Sequence, residues 1–362
     1  MEVKEEDAIF YLENILDKKA FYNPQMRIVR NLNIEIFKNY AKENYKLLDL
    51  LSSIGTNSIR IKKSLPFLEV FSNDISKKAV DYLKKNAKIN KVKINIFNEN
   101  AKNLKCVLNE KFEIIDIDPF GTPITFFPYI IDFLKKETLL SLTATDIATL
   151  SGKYSEKCLM RYGIYCCETD MERELAIRNL ISKTITFFSS FNFSSNVLFS
   201  YSEKHFVKIY VLLKKCSKTK IQKELKNCLG FLSFCENCMN KKVGIYEKCE
   251  ICNKNFFNMG VTYVGKLFDE NFIKNAYENS KFKDVKKIFE KAMKDFCEDY
   301  TIPPITFNTH LFSKKFKKSP KSIESIVNYF RKQNLSASKS YLDGKSIRIN
   351  NFKFFIENYE KI

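Results

Sequence analysis

The run Phe112-Glu113-Ile114-Ile115-Asp116-Ile117 is nearly continuous in apolar residues and stops abruptly at Asp118-Pro119-Phe120-Gly121-Thr122-Pro123. It is too short for an ordinary helix, and two prolines and a glycine forbid its continuation. Such a run reads as a strand buried inside a sheet, and its end presents three groups together: a carboxylate, a rigid backbone carbonyl and an aromatic face. A Pro-containing turn accounts for any such string taken alone, so the surrounding sequence has to decide.

Upstream, Leu47 to Gly55 reads as a buried strand breaking at a glycine, followed by a short helical stretch to Lys63. Phe67 to Phe71 is a second strand, closed by Asn73-Asp74 before the amphipathic segment Ile75 to Asn90. Val92 to Phe97, Glu113 to Asp118 and Leu139 to Thr143 supply three more strands, and a helical pattern runs from Thr169 to Phe188. Two apolar runs, Asn196 to Tyr201 and His205 to Leu213, are then joined by Ser202-Glu203-Lys204, which is hairpin spacing. Strands alternating with helices and ending in an antiparallel hairpin give an α/β fold on the strand plan of class I Rossmann-like methyltransferases. In such sheets an acidic residue closing the second strand accepts both ribose hydroxyls of a nucleoside cofactor, which places Asp74 in a pocket with Asp49 and Gly55 of the first strand and its break.

From about Cys216 to Asn258 the texture turns polar, Lys-rich and Cys-rich, and this is read as the boundary between a domain at 1–222 and a second at 223–362. The latter holds helical segments at Val285 to Phe296 and Ser322 to Gln333, the turn Ile302-Pro303-Pro304 and a strand at Ser346 to Ile349, a small α+β module with a winged-helix flavour. Apolar content of 45% with 28% charged residues is globular, and no stretch approaches a membrane span. The charged start, Met1 to Asp7, leads into a helical pattern and resembles no secretory signal, so a cytoplasmic location is expected. No obligate protein partner is evident, and a monomer is expected.

Lys and Arg number 61 against 42 Asp and Glu, a net charge of +19 that favours a polyanionic partner. Lysine richness also reflects a composition crowded with Lys, Asn, Ile and Phe, so clusters carry more of the argument. They are Lys214-Lys215 with Lys218, Lys220 and Lys223, and Lys314-Lys315-Phe316-Lys317-Lys318 with Lys321. Each reads either as a solvated face or as an RNA contact.

Seven of the eleven cysteines (Cys106, Cys158, Cys166, Cys167, Cys216, Cys228, Cys297) are scattered and read as small buried hydrophobes in a reducing compartment. The other four form Cys235-Glu236-Asn237-Cys238 and Cys249-Glu250-Ile251-Cys252, two Cys-x-x-Cys pairs ten residues apart. Two facing knuckles of this kind close a four-thiolate shell for structural zinc, with an iron–sulfur cluster as the less common occupant at this spacing.

With these residues in view, the chain resembles the tRNA guanine-26 N2-dimethyltransferase family nearly from end to end. The resemblance is carried by Phe21-Tyr22-Asn23-Pro24-Gln25-Met26 with Arg30, Asn73-Asp74-Ile75-Ser76, Asp118 to Pro123, and Thr143-Ala144-Thr145-Asp146. It continues through Arg161-Tyr162-Gly163, the four cysteines, and Leu335-Ser336-Ala337-Ser338 with Tyr341. It implies an S-adenosylmethionine-dependent enzyme that places two methyl groups on N2 of a tRNA guanosine. It further implies cofactor contacts at Arg30, Arg60, Asp74, Asn100 and Ala101, catalysis at Asp118 with Pro119 and Phe120, zinc on Cys235, Cys238, Cys249 and Cys252, and tRNA as partner. Lys314, Lys315, Lys317 and Lys318 are the expected phosphate contacts. The chain departs from the family where Asn100 replaces an acidic residue, where Asn57 stands at a common arginine position, and in having no tryptophan.

Asp146 reads either as part of the same pocket or as a helix N-cap. Two rival functions stay open: another nucleic-acid amino-group methyltransferase, acting on a different tRNA guanine or on adenine N6, and a catalytically inactive, zinc-stabilised RNA-binding protein.

Overall fold

The computed structural model describes residues 1–14, 20–203, 205–295 and 305–362. Ile302-Pro303-Pro304, Cys297, Lys204 and Phe296 therefore lie outside the described residues.

The N-terminus departs from the expected helical pattern. Glu2–Glu5 (β1) and Ala8–Tyr11 (β2) pair antiparallel in a hairpin, and the first long helix is Arg27–Tyr40. Contacts distant in sequence account for this. Asn90 Nδ2 donates to the Ile9 carbonyl at 2.6 Å, while Asn86 and Asn90 side chains accept from the Tyr11 and Ile9 amides at 2.7 and 3.0 Å. Ala8, Phe10 and Leu12 then pack in one cluster with Ile54, Ile59 and Tyr82.

The apolar runs become strands, with shifted ends at the second, third and fifth: Lys46–Asp49 (β3), Glu69–Asn73 (β4), which leaves Phe67 outside, Asn95–Phe97 (β5), Phe112–Ile117 (β6) and Leu134–Ala144 (β7). All six residues of β6 are buried, which explains why its sequence does not alternate. Phe193–Glu203 (β8) and Phe206–Lys215 (β9) complete a seven-stranded sheet in the order β5-β4-β3-β6-β7-β9-β8. The pairs β3–β4, β4–β5, β3–β6 and β6–β7 are parallel. Neighbouring strands as close in sequence as β8 and β9 can pair only antiparallel, so the sheet is mixed as the strand plan requires.

Gly55 ends the first strand's loop at φ +82° and starts the helix Thr56–Ser64. A side chain there would meet Leu83 Cγ at 2.7 Å, so this position needs glycine for both space and backbone conformation. The expected amphipathic segment forms the helix Lys77–Ile89, capped by the Ser76 hydroxyl, and the later pattern forms the helix Glu172–Ser189.

Two compact units interleave along the chain. One comprises Met1–Thr145, Lys208–Lys215 and Asn271–Lys287, and the other Asp146–Val207, Cys216–Glu270 and Ile288–Ile362. The second contains a three-stranded antiparallel ribbon, order β11-β10-β12, built from Leu229–Phe234 (β10), Lys241–Val243 (β11) and Phe257–Tyr263 (β12). The first two of these strands arise inside the stretch whose sequence reads as polar, and β12 begins at its end. The unit also holds an α+β module in which Phe307–Asn308 (β13), Ala337–Lys339 (β14) and Ser346–Ile349 (β15) form a sheet of order β13-β15-β14. The helices Thr309–Lys315 and Ile323–Lys332 intervene between β13 and β14, the order a winged helix uses.

Candidate active site and four-cysteine cluster

Parallel pairing brings the C-terminal ends of β3, β4, β5 and β6 to one edge of the sheet, where open α/β sheets bind their ligands. Backbone and side-chain bonds lace this edge together. Ser52 N donates to the Asn73 carbonyl at 2.8 Å, Leu50 N to the Asp116 carbonyl at 3.1 Å, and Asn73 Nδ2 to the Leu50 and Glu99 carbonyls at 3.2 and 3.0 Å.

Asp74 follows β4 directly and is half-buried. Its Oδ2 accepts from Ser53 N and its Oδ1 from Ser76 N, both at 2.8 Å. Burial lifts its carboxyl above the ordinary range, and those two amides oppose the lift. The carboxylate is thus fixed in orientation, with lone pairs left over for a further donor. Ser53 also donates its hydroxyl to the Phe21 carbonyl at 2.9 Å, tying the Phe21-Tyr22-Asn23-Pro24 stretch to the glycine loop.

Ala101 is buried, and Asn100 folds its own amide oxygen back onto Lys102 N at 3.1 Å. Arg30 and Arg60 converge on one carboxylate that sequence reading missed. Glu5 accepts from Arg30 Nε at 2.7 Å and Nη2 at 2.5 Å, from Arg60 Nη1 at 2.7 Å and from Tyr22 Oη at 2.9 Å. Arg60 is 1% exposed and turns its remaining Nη2 to Asn31. The structure therefore spends Arg60 on Glu5 and Asn31, and Arg30 on Glu5 and the Asn23 carbonyl. Asp49 is enclosed too. It accepts from Ser58 Oγ at 2.5 Å, and burial beside Asp116 pushes its carboxyl up to about 7.

Asp116 and Asp118 divide sharply. Asp116 is 1% exposed and accepts from Lys208 Nζ at 2.9 Å, Ser141 Oγ at 2.5 Å and Asn57 Nδ2 at 3.0 Å. Asp118 lies just beyond β6 and is open to solvent, with protein atoms crowded around it. That crowding raises its carboxyl above the ordinary range, against the charge of Lys208 and the Thr143 hydroxyl. Pro119 is buried and Phe120 is 74% exposed, a large apolar ring held in water. Phe21 meets it edge-on at 4.9 Å between centroids. Gly121, at φ +93°, donates to Thr145 Oγ1 and accepts from Thr145 N, both at 2.8 Å, so the Asp-Pro-Phe-Gly turn is clamped at its far end.

In the second unit, Asp146 precedes the short helix Ile147–Leu150, but its side chain does not cap it. The carboxylate instead accepts from Arg161 Nη1 at 2.7 Å and from Tyr162 Oη at 2.8 and 2.9 Å.

The four cysteines come together with their sulfurs within 4.8 Å of one another. Sγ of Cys235 is 3.4 Å from that of Cys252, and Cys238 is 3.5 Å from Cys249. The two pairs are built alike. Met239 N donates to the Cys235 carbonyl and Asn253 N to the Cys249 carbonyl, each at 2.8 Å, and Met239 and Asn253 are both left-handed, at φ +67° and +57°. Zinc–sulfur bonds of about 2.3 Å set tetrahedral sulfurs about 3.8 Å apart, so the cluster fits four-thiolate zinc. Burial would raise the Cys252 thiol, but donors including Lys254 N and Asn237 bring it down to about 6. Among the scattered cysteines, Cys158 and Cys166 are buried as expected; Cys106 is exposed, because the short helix Leu104–Val107 turns it outward.

Of the basic clusters, Lys214, Lys215, Lys218, Lys220 and Lys223 are all exposed. In the other, Lys314 and Lys317 are exposed, Lys315 Nζ donates to the Glu236 carbonyl, and Lys318 pairs with Glu360 at 2.9 Å. Phe316 does not offer a free face. It packs against the cysteine cluster and lies 4.6 Å from Phe312.

A family model described as N2,N2-dimethylguanosine tRNA methyltransferase matches residues 1–359. The chain belongs to this family. Among curated members it is 32% identical over 305 residues to the tRNA (guanine(26)-N(2)/guanine(27)-N(2))-dimethyltransferase of Aquifex aeolicus, covering 80% of this chain and 77% of the relative. It is 29% identical over 352 residues to the tRNA (guanine(26)-N(2))-dimethyltransferase of Methanobrevibacter smithii, covering 92% and 89%. The solved structure of Trm1 from Pyrococcus horikoshii with S-adenosyl-L-methionine superposes with a TM-score of 0.86 over 99% of both chains at 24% identity, which fixes the fold of this family member.

Proposed function

We propose that this chain transfers methyl groups from S-adenosylmethionine to the exocyclic N2 of guanosine 26 in tRNA, giving N2-methylguanosine and then N2,N2-dimethylguanosine. The observation that carries the reading is an open carboxylate, Asp118, followed by an exposed ring, Phe120, at the ligand-binding edge of a Rossmann-like sheet.

Guanine N2 is a poor nucleophile because its lone pair is delocalised into the purine. Asp118, ionised, accepts one N–H, and the Pro119 carbonyl accepts the other. Together they favour the pyramidal amine and stabilise the positive charge that develops on nitrogen. Phe120 stacks on the base and Phe21 buttresses Phe120. Extracting the base from the tRNA costs a few kcal/mol, which stacking and phosphate contacts offset. S-adenosylmethionine, when bound, would supply the methyl group from its sulfonium and be left as the neutral thioether S-adenosylhomocysteine, while the proton shed by N2 passes to Asp118. Asp74 holds its ribose hydroxyls, Gly55 lets the loop approach it, Asn100 and Ala101 take the adenine end, and Arg30 lines the pocket, with Asp49 and Arg60 supporting from beneath.

Cys235, Cys238, Cys249 and Cys252 would hold zinc with all four positions filled by protein, a structural and not a catalytic role. Methyl transfer is assigned to 1–222, and the zinc and tRNA-gripping functions to 223–362, where Lys314, Lys315, Lys317 and Lys318 take phosphates. The molecule works in the cytoplasm as a monomer; among the described residues no helix is long and apolar enough to cross a membrane.

The test is methylation of an unmodified tRNA transcript by the purified protein, followed by nuclease digestion and mass spectrometry of the nucleosides. N2,N2-dimethylguanosine mapped to position 26 is expected. Modification at 27 as well would match the name of the Aquifex relative, and methylation of adenine or of no base would overturn the reading.

A further inference from the structure

Lys208 is 0% exposed, and it interrupts Phe206-Val207-Lys208-Ile209-Tyr210-Val211-Leu212-Leu213, where every other residue is apolar or aromatic. Burying an ammonium is costly, and a buried ion pair is on balance weak evidence for stability, since apolar replacements of similar volume often do as well. Its presence therefore calls for a use. Nζ reaches Asp116 Oδ1 at 2.9 Å and Thr143 Oγ1 at 3.0 Å. Asp116 is further tied by Ser141 and Asn57, and Asn33 links the network outward, its Oδ1 accepting from Tyr210 Oη at 2.7 Å and from Ser141 Oγ at 3.3 Å.

Thr143 is the pivot. In the parallel register of β6 and β7 Ile117 stands opposite Leu142, which sets the next residues, Asp118 and Thr143, side by side, and because the Thr143 oxygen accepts from Lys208 its hydroxyl proton is left for Asp118.

We propose that Lys208 is a positioning residue for methyl transfer: from beneath the sheet edge, through its bonds to Thr143 and Asp116, it holds Asp118 in place as the acceptor. The inference rests on the role of Asp118 proposed above. The groups that act electrically on Asp118 come from every strand and helix packed there: Lys208 and Tyr210 from β9, Asp116 from β6, Asp49 from β3 and Arg30 from the helix Arg27–Tyr40. Asp116 and the protein crowded around the group oppose ionisation of Asp118. Lys208 is the largest opposing influence and, unlike Arg30, is not already matched to Glu5. Asp116 takes up part of its charge, so the pair works as a setting: removing Lys208 disfavours the Asp118 anion and removing the Asp116 charge favours it.

The experiment is a carboxylate titration of Asp118 by carbon-detected NMR, assigned by comparison with Asp118→Asn, in the parent, Lys208→Met, Lys208→Arg and Asp116→Asn proteins. The pH profile of single-turnover tRNA methylation is read alongside. The expected result is an upward displacement of the Asp118 midpoint in Lys208→Met, a downward one in Asp116→Asn and a parental midpoint in Lys208→Arg. The acid limb of the rate should follow each, while KM for tRNA and for S-adenosylmethionine stays at the parental value. A folded Lys208→Met protein with an unmoved midpoint would overturn the proposal. If Lys208→Met does not fold, Asp116→Asn decides, and an unmoved or raised midpoint there overturns it. A parent protein that titrates as described but methylates nothing would refute the proposed function, not this electrostatic arrangement.

Discussion

Glu5 and Arg30 meet through two hydrogen bonds, Nε to Oε1 at 2.7 Å and Nη2 to Oε2 at 2.5 Å, with Arg60 Nη1 also 2.7 Å from Oε1. The acid comes from the N-terminal hairpin and the bases from two successive helices, so one buried carboxylate ties the hairpin to the Rossmann-like sheet's own helices. Glu5→Gln leaves two enclosed guanidinium groups without an anion. The expected loss is about 3–5 kcal/mol of folding stability, measured by chemical denaturation. Burial alone would raise the Glu5 carboxyl, but Arg30, Arg60 and Tyr22 outweigh it and hold it below its ordinary 4.5. Its contribution is therefore complete above about pH 4.5 and is withdrawn as pH falls through the lower folded value. The Gln variant should lose that part of the acid dependence, and an unchanged acid limb of stability would show that Glu5 is not its source.

Asp74→Ala removes a carboxylate that already orders Ser53 and Ser76 and, in the proposed function, binds the cofactor ribose. Affinity for S-adenosylmethionine should fall by about 1.5–3 kcal/mol, the worth of hydrogen bonds to a charged group. Calorimetry reads this directly, and parental affinity would reject the assignment.

Single Cys→Ser substitutions at Cys235, Cys238, Cys249 or Cys252 should each abolish stoichiometric zinc and loosen the ribbon from Leu229 to Tyr263. The evenly built knuckles make all four positions equivalent in this respect. Metal analysis with near-ultraviolet circular dichroism is the measurement. Full zinc retention in any one variant would show that its thiol is not a ligand.

Most of the sheet was legible because its strands are short apolar runs ending at Gly, Asn-Asp or Asp-Pro, and those signals are local. The Asp118-Pro119-Phe120 turn and the two Cys-x-x-Cys pairs were legible for the same reason. The hairpin at Glu2–Tyr11 was not, because four acidic residues and a lysine within Met1–Asp7 read as surface, while Glu5 is in fact buried by partners 25 and 55 positions away. The ribbon strand Leu229–Phe234 was hidden by its lysine-rich flanks. Thr145 looked like one motif residue among others, and its clamp on Gly121 exists only once β6 and β7 lie side by side. Lys208 did leave a signal, a lone cation inside an apolar strand, but the identity of its anion is a property of the fold.

Lys314 and Lys317 stand clear in the basic run, whereas Lys315 and Lys318 are engaged by Glu236 and Glu360. Replacing Lys314 and Lys317 with Gln should weaken tRNA binding and reduce its salt dependence by up to about 0.9 in slope for each phosphate no longer neutralised. Replacing Lys315 should instead act on the first knuckle, whose Glu236 carbonyl it holds. Filter binding across a salt series separates the two, and an identical slope in the Lys314/Lys317 double variant would return them to an ordinary solvated face.

Asp118→Asn is the most direct test of the chemistry. The amide keeps the shape of the carboxylate and can still accept a hydrogen bond from the guanine amine, but it cannot match the positive charge that grows on N2 as the methyl arrives. The expected loss is roughly 10²–10⁴ in single-turnover rate at saturating S-adenosylmethionine, with both affinities near parental, since the interaction is made chiefly in the transition state. A second signature follows from the charge state. The protein crowded around it and Asp116 raise the Asp118 carboxyl against Lys208, so the parent's acid limb should lie above the ordinary carboxylate range, and it should vanish in the Asn variant because that side chain no longer titrates. A rate within a few-fold of the parent, with the acid limb intact, would move the acceptor elsewhere. Asp146 would be tested next, although its carboxylate already serves Arg161 and Tyr162.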